Sequence, residues 1–289
     1  MRYSFIRDHR QQFRTVAMCR VLRVSSSGFY AWRGRPESPR RRANRTLAVQ
    51  IRAAHRRSRQ TYGRRRIHIQ LQREGMGCSP NRVGRLMVQE GLQGIGRRKY
   101  KATTDSCHSF PVAPNLLARD FTATAPDQIW VSDITYLRTE QGWDYLATVM
   151  DLYSRRIVGW AMQSSLERSL TLRALQMAVT QRRPDPGLIH HSDRGSQYAC
   201  GDYQKALQRR GLRPSMSRKG DCWDNAPGES LFGTLKCELV HHWGRPSRDR
   251  ARREVFDFIE VFYNRQRLHS SLGYLSPADF ERHSVAEAA

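Results

Sequence analysis

Ile129-Trp130-Val131-Ser132-Asp133-Ile134-Thr135-Tyr136-Leu137 is a run of β-branched, aromatic and aliphatic residues with one carboxylate at its centre. Bounded by the turn Thr139-Glu140-Gln141-Gly142, it reads as a strand. Working outward, residues 145–151 form a second strand, Tyr153-Ser154-Arg155-Arg156 a turn, and residues 157–162 a third strand in hairpin succession. Leu170, Ala174, Leu175 and Ala178 recur on one side of a helix over residues 166–183. A fourth strand over 188–192 ends at Asp193, a helix lies near 203–210, and a short strand covers 212–217. A long helix over 225–239 completes the order β-β-β-α-β-α-β-α.

That order predicts an α/β RNase H-like domain, a mixed five-stranded sheet with flanking helices. Asp133 sits within the first strand, Asp193 just past the fourth, and Glu229 on the long helix, with 35 residues between Asp193 and Glu229. Three such carboxylates at one sheet end offer hard oxygen ligands suited to Mg²⁺ or Mn²⁺, and two ions are expected. Asp151, Asp221 and Asp224 fall at strand ends and turns and read as turn or cap residues. Asp224 or Asn225 is expected to cap the long helix, with Trp223 packing or stacking on a base. His190 and His191 either orient a carboxylate, touch DNA or pack inside the sheet.

The chain's charge lies elsewhere. Of its 289 residues, the first 101 hold 26 Lys and Arg, 24 of them Arg, against four acids: Asp8, Glu37, Glu74 and Glu90. The remainder is nearly neutral, so the formal charge of +24 belongs to the N-terminal third. Such one-sided, arginine-dominated charge points to nucleic acid. Apolar residues from Phe13 to Leu22, the break Ser25-Ser26-Ser27-Gly28 and a helix opening at Phe29 follow helix-turn-helix grammar. Pro36 to Arg42 reads as a linker. A second basic unit follows, with helices around Leu47–His55 and Ile67–Glu74 and a third capped by Ser79 with Pro80 in its first turn. Arg64, Arg65, Arg66, Arg82 and Arg85 are its expected DNA contacts, Arg82 and Arg85 sharing one face. The expected divisions are 1–45, 46–105, a linker 106–124, a catalytic core 125–240 and a helical extension 241–289. Six cysteines without a CxxC pair predict reduced thiols and no zinc site. No apolar run suits a membrane span or a signal peptide, so a cytoplasmic, nucleoid-associated bacterial protein is expected.

The segment from Asp127 to Phe280 resembles the catalytic half of the OrfB transposases of two-reading-frame bacterial insertion sequences, relatives of retroviral integrases. The resemblance rests on Trp130-Val-Ser-Asp133-Ile-Thr-Tyr136, His191-Ser-Asp193-Arg-Gly-Ser-Gln-Tyr198, Cys222-Trp-Asp-Asn-Ala226, Glu229-Ser230 and Thr234-Leu-Lys236-Cys-Glu-Leu239. It extends through Tyr263-Asn264, Arg267-Leu-His269-Ser-Ser-Leu-Gly273-Tyr and Ser276-Pro277. The resemblance implies that Asp133, Asp193 and Glu229 are a DDE triad and that Lys236 contacts DNA. Lys236 follows Glu229 by seven residues, two helical turns, and so shares its face. It further implies Mg²⁺-dependent cleavage at element ends and strand transfer by the freed 3′-hydroxyl on double-stranded DNA. A homo-oligomer on DNA and an OrfA partner, or a frameshift fusion with it, are implied too. Arg267 and His269 are expected as further DNA contacts. Gly228, a poor helix former, is expected either to start the catalytic helix or to loosen it. The rival readings are an RNase H-like nuclease without strand transfer and a DNA-binding repressor from a decayed element.

Overall fold

β1 (Ile129–Thr139) is the spine of a five-stranded sheet of order β3-β2-β1-β4-β5. Its long apolar run pairs antiparallel with β2 (Gly142–Asp151), which pairs antiparallel with β3 (Ile157–Gln163). On its other side β1 pairs parallel with β4 (Ile189–Ser192), itself parallel to β5 (Arg213–Met216). The sheet is therefore mixed, as expected. This computed structural model describes residues 1–96, 110–219 and 221–288. No described helix is long and apolar enough to cross a membrane.

The chain divides into two compact units, Met1–Arg52 and Ala53–Ala289. The first contains α1 (Arg2–Asp8), α2 (Thr15–Val21), α3 (Ser26–Gly34) and most of α4 (Pro39–Arg57). Ile6, Met18, Cys19 and Phe29 form its small core, with Tyr3 and Trp32 packed against it. Ser25 caps α3 by accepting the Gly28 N–H at 3.2 Å. The expected linker 36–42 is mostly helix, because Pro39 sits at the first turn of α4, where its missing N–H is no loss. Glu37 also gathers Arg41 and Arg45, reducing repulsion among the arginines that follow. Helix α1 had no counterpart in the sequence reading.

The second unit opens with α5 (Arg64–Arg73) and α6 (Pro80–Gln89), the latter capped by Ser79, which accepts the Arg82 N–H at 3.3 Å. These basic helices belong to the same compact unit as the sheet, whereas the sequence set them apart by a linker. Residues 97–109, the end of the expected second module and the start of that linker, lie outside the described residues. The apolar side of α7 (Arg168–Arg182) covers one sheet face, joining Trp130, Ala147, Val149 and Val158 in the main core. Its approach depends on Gly159, where a Cβ would lie 2.3 Å from the Ala174 carbonyl oxygen and 2.7 Å from the Ala178 Cβ. Helices α8 (Ser196–Ala199) and α9 (Gly201–Gln208) add Tyr198 and Tyr203 to that core.

α10 (Ala226–Glu238) runs against β1, and α11 (Arg248–Phe256) continues into a wider π-helical turn over Asp257–Tyr263. The closing helix α12 (Pro277–Ala288) returns Glu281 to the sheet, where it meets Arg156 at 2.6 Å and Arg182 at 3.1 Å. Arg182 also grips Asp127 at 2.8 Å, and Asp127 in turn accepts the Trp130 indole N–H at 2.9 Å. This half-buried chain of charges fixes where β1 begins.

His190 and His191 are packed strand histidines. His190 sits 2.8 Å from the Ser132 hydroxyl and 3.0 Å from that of Tyr203; His191 meets Ser215 at 2.8 Å. Burial holds His190 down to about 3 and His191 to about 4.

Two stability predictions follow from this packing. Gly159→Ala forces backbone apart, and denaturant unfolding should show a loss of about 1–3 kcal/mol, typical of overpacking; an unchanged midpoint would mean that α7 floats freely on the sheet. Because His190 takes up a proton more readily when unfolded, its contribution is complete above about pH 6.5 and shrinks on acidification. The slope expected is roughly 1.4 kcal/mol per pH unit. A His190→Gln variant should unfold with a correspondingly flatter dependence between neutrality and mild acid; a parallel profile would refute the assignment.

Candidate active site

The site grows out of the β1–β4 register. The parallel ladder pairs Ile129 with Ile189 and ends with Ser132 opposite Ser192. Asp133 and Asp193 are the next residues on each strand, so they leave the ladder side by side at its carboxyl end. Open α/β sheets place ligand crevices at such ends, where neighbouring connections run in opposite directions. Each carboxylate is tethered locally. Asp133 Oδ1 accepts the Ile134 N–H at 2.7 Å, and Asp193 Oδ1 accepts the Gly195 N–H at 2.9 Å.

The third acid arrives on α10. Pro227 stands in its first turn and Glu229 follows, exposed, where the helix dipole favours negative charge. Gly228 lets this end of α10 come close: a Cβ there would lie 3.0 Å from Asp133 Oδ2 and 3.1 Å from Asp133 Cβ. The sequence offered only helix propensity for Gly228; its contact with the carboxylate becomes visible in three dimensions. Neither Asp224 nor Asn225 caps α10 through its side chain. Asp221 instead caps the preceding 3-10 turn by accepting the Trp223 N–H at 3.2 Å. Asp224 is fully buried and committed to Arg218, Arg119 and Asn115, and the Arg218 hydrogen bond leads in holding its carboxyl far below the ordinary range. Trp223 is 67% exposed beside this turn.

Electrostatics tie the four groups together. Burial, then the negative charge of Asp193, and more weakly that of Glu229, push the Asp133 carboxyl well above its usual range. Lys236 pulls in the opposite direction. Burial lowers the Lys236 ammonium, partly offset by Asp133. Like-charged carboxylates brought to one buried point raise one another's pKa, and a divalent cation relieves that strain. Among the described residues no three His, Cys, Asp or Glu side chains already close on a single point.

The other expected contacts divide into two groups. Arg64, Arg65 and Arg85 are exposed and Arg82 is half-buried, with the Arg64 stem crossing α6 beside Gly84. Arg66 turns inward, stacking over Tyr62 at 5.2 Å and reaching Glu238 at 3.4 Å. Arg267 and His269, expected at DNA, are only 6% and 8% exposed. Arg267 forms a two-pronged pair with Glu238, 2.7 Å at each prong, and its other side meets His269 at 3.4 Å. They are drawn inward because Glu238, near the end of α10, is itself buried and needs a cationic partner.

The Gly228 contact generates a test. In Gly228→Ala the new methyl displaces Asp133 or α10 by a few tenths of an ångström. If these carboxylates carry the strand transfer that the resemblance implies, misplacement on that scale should slow it by about tenfold or more, with a thermal midpoint close to that of the parent chain. Full activity in a soluble, folded variant would show that α10 yields without disturbing the site.

Three family models match the chain. The integrase core domain family matches residues 123–222, and a second integrase core domain family matches residues 210–277. An HTH-like domain family matches residues 41–100, taking in α5 and α6. The insertion element IS600 uncharacterized 31 kDa protein of Shigella sonnei is 48% identical over 263 residues, 91% of this chain and 97% of that protein. Transposase InsF for insertion sequence IS3A of Escherichia coli strain K12 is 43% identical over 288 residues, 99% of this chain and the whole of that protein. Among solved structures, a simian T-cell lymphotropic virus intasome aligns with a TM-score of 0.46 at 14% identity, over 76% of this chain and 70% of that one. With sequence identity of this order sustained along its whole length, the chain belongs to the transposases of IS3-type insertion sequences.

Proposed function

We propose that Asp133, Asp193 and Glu229 are the catalytic acids of this transposase, that they hold two Mg²⁺ or Mn²⁺ ions, and that the chain cuts DNA at the ends of its element and joins the freed 3′-hydroxyl to target DNA. The observation that carries this reading is geometric: the β1–β4 register sets Asp133 beside Asp193, and the close approach at Gly228 brings the Glu229 end of α10 against Asp133. The donor set fits hard divalent ions, being made of carboxylate oxygens whose mutual repulsion is otherwise uncompensated. When bound, such ions supply Lewis acidity and an activated oxygen nucleophile.

The chain's own residues do the rest. The Ile134 and Gly195 amides fix one oxygen of Asp133 and one of Asp193, so neither carboxylate has to be reoriented during turnover. Lys236, on the Glu229 face of α10, offers its ammonium to a phosphate oxygen at the reacting end. Arg64, Arg82 and Arg85 on α5 and α6 hold the flanking duplex through its phosphates. The protein acts in the bacterial cytoplasm on the nucleoid, as a homo-oligomer on DNA with an OrfA partner or fusion.

The test is a strand-transfer assay on duplexes carrying the element ends, with Mg²⁺ and sequencing of the joined 3′ ends. Asp193→Asn should reduce both cleavage and joining by more than about 10²-fold, beyond the usual effect of outer-shell changes at metal sites. DNA affinity should be retained. Undiminished joining in Asp193→Asn would overturn the triad, and cleavage without joined products in the parent chain would reduce the protein to a nuclease.

A further inference from the structure

Behind α10, on the side away from Asp133, lies a cleft of ≈ 730 Å³. Arg65, Arg66, Arg155 and Arg267 line it, against the single carboxylate of Glu238. Four guanidiniums and one carboxylate leave a formal excess of three positive charges. Glu238 is already saturated, since Arg267 occupies both of its oxygens at 2.7 Å and Arg66 adds a longer contact at 3.4 Å. Arg65 and Arg155 therefore have no carboxylate there to neutralise them.

Arg155 is held in this position by its neighbours. It occupies the turn between β2 and β3 in the left-handed region, φ 60°, which is unfavourable for a residue with a side chain. Asp151 fixes the turn by accepting the Ser154 N–H at 2.9 Å, and the Ser154 hydroxyl lies 2.8 Å from both Asp151 and Glu281. On the other side Arg156 is paired with Glu281 at 2.6 Å. One of two adjacent arginines is consumed by the fold, while Arg155 has no ion-pair partner among the described residues. That the cations converge is seen at His269: after burial, the fields of Arg267, Arg66 and Arg155 hold its imidazole well below the usual range. Arg65 is exposed, but Arg155 is half-buried and unneutralised beside the buried Arg267, an arrangement that is unfavourable unless an anion completes it. The cleft also presents the hydroxyls of Ser230 and Ser271, and the guanidinium fork matches phosphate geometry.

We propose that this cleft clamps a backbone phosphate of the DNA strand whose reacting end lies at Asp133 and Glu229. The assignment rests on the transposase reading above and adds to it a second phosphate subsite on the opposite side of the catalytic helix. Front and back of a helix are separated by roughly 10–12 Å, about three steps at 3.4 Å per nucleotide along the duplex axis. The clamped phosphate is therefore about three nucleotides from the reacting one.

The experiment uses the full chain, without divalent metal, binding a fluorescein-labelled duplex at several salt concentrations. Arg155→Gln and Arg65→Gln should each lower affinity and reduce the slope of log K against log salt by about one, the signature of a lost phosphate contact. Arg155→Lys should restore the slope, and circular dichroism should show the parent fold. Replacing single phosphates by neutral methylphosphonates should weaken the parent at one position, about three nucleotides from the reacting end, and leave Arg155→Gln unaffected there. Unchanged slopes in both glutamine variants would overturn the clamp while leaving the triad standing. No duplex binding by the parent chain would overturn the transposase reading itself. Stabilisation of the parent by inorganic phosphate beyond equal ionic strength of chloride, lost in Arg155→Gln and with duplex binding unaltered, would assign the cleft to free phosphate and refute the DNA clamp.

Discussion

The parallel pairing of β1 with β4 is the constraint from which the rest of the site follows. Because the ladder ends with Ser132 opposite Ser192, the two aspartates that come next must emerge together. A slip of one residue would send one of them to the other sheet face. Bringing two carboxylates to one partly buried place is unfavourable, as the raised Asp133 carboxyl shows. The fold commits to it through packing and through charges that are already paired. Trp130 is buried against α7, the Asp127–Arg182–Glu281 chain anchors the start of β1, and His190 stays neutral beneath the strands. The unfavourable electrostatics at the tip are offset by packing below it, which leaves the tip ready for a cation.

A second interaction joins the catalytic helix to the basic helices. Glu238, near the end of α10, is gripped by Arg267 from the C-terminal segment and by Arg66 from α5. Tyr62, just before α5, accepts the Leu268 N–H at 2.6 Å. Removing one partner from such a buried set leaves an uncompensated charge, typically at 3–5 kcal/mol for a buried pair, on the order of a large part of a domain's stability. Residues 53–96 are consequently built onto the same body as the active site. Among the described residues, the link from α5 to α10 is the single Arg66–Glu238 contact at 3.4 Å, seated on the two-pronged Arg267–Glu238 pair.

The sequence made the sheet legible because its periodicity of two was strong and its turns carried Gly, Asn or paired polar residues. All five strands stand within one or two residues of where the pattern put them, apart from the longer reach of β1 and β2 at their hairpin. Asp133 and Asp193 stood out as acids within or just beyond an apolar strand, whereas Glu229, on a helix, was singled out by its placement with them and by the motif resemblance. What stayed hidden depended on contacts between distant segments. Arg267 and His269 look like a basic surface patch until Glu238 is known to be buried beside them. Pro36 to Arg42 carries every sign of a linker, yet Pro39 starts a helix there. Gly228 looked like a weakness in α10 until the distance to Asp133 was known. For Arg267, His269 and Gly228 the deciding partner lies far away in sequence, whereas Pro39 acts locally as the first residue of its helix.

Arginine serves two purposes in this chain, and the local supply of carboxylates separates them. In the sheet region Arg119, Arg156, Arg182, Arg218, Arg248 and Arg267 are all paired with Asp or Glu, their forks used as structural clamps. Those pairs neutralise the domain internally and release few counterions when DNA arrives. Residues 1–101 have 26 cations and only four acids, so most of those forks cannot be satisfied within the segment. Phosphate, with the same oxygen geometry as a carboxylate, is the natural second partner. Nonspecific grip and its steep dependence on salt must then reside mostly in the N-terminal third. The sheet-bearing domain is left to discriminate geometry at a site where carboxylates outnumber cations.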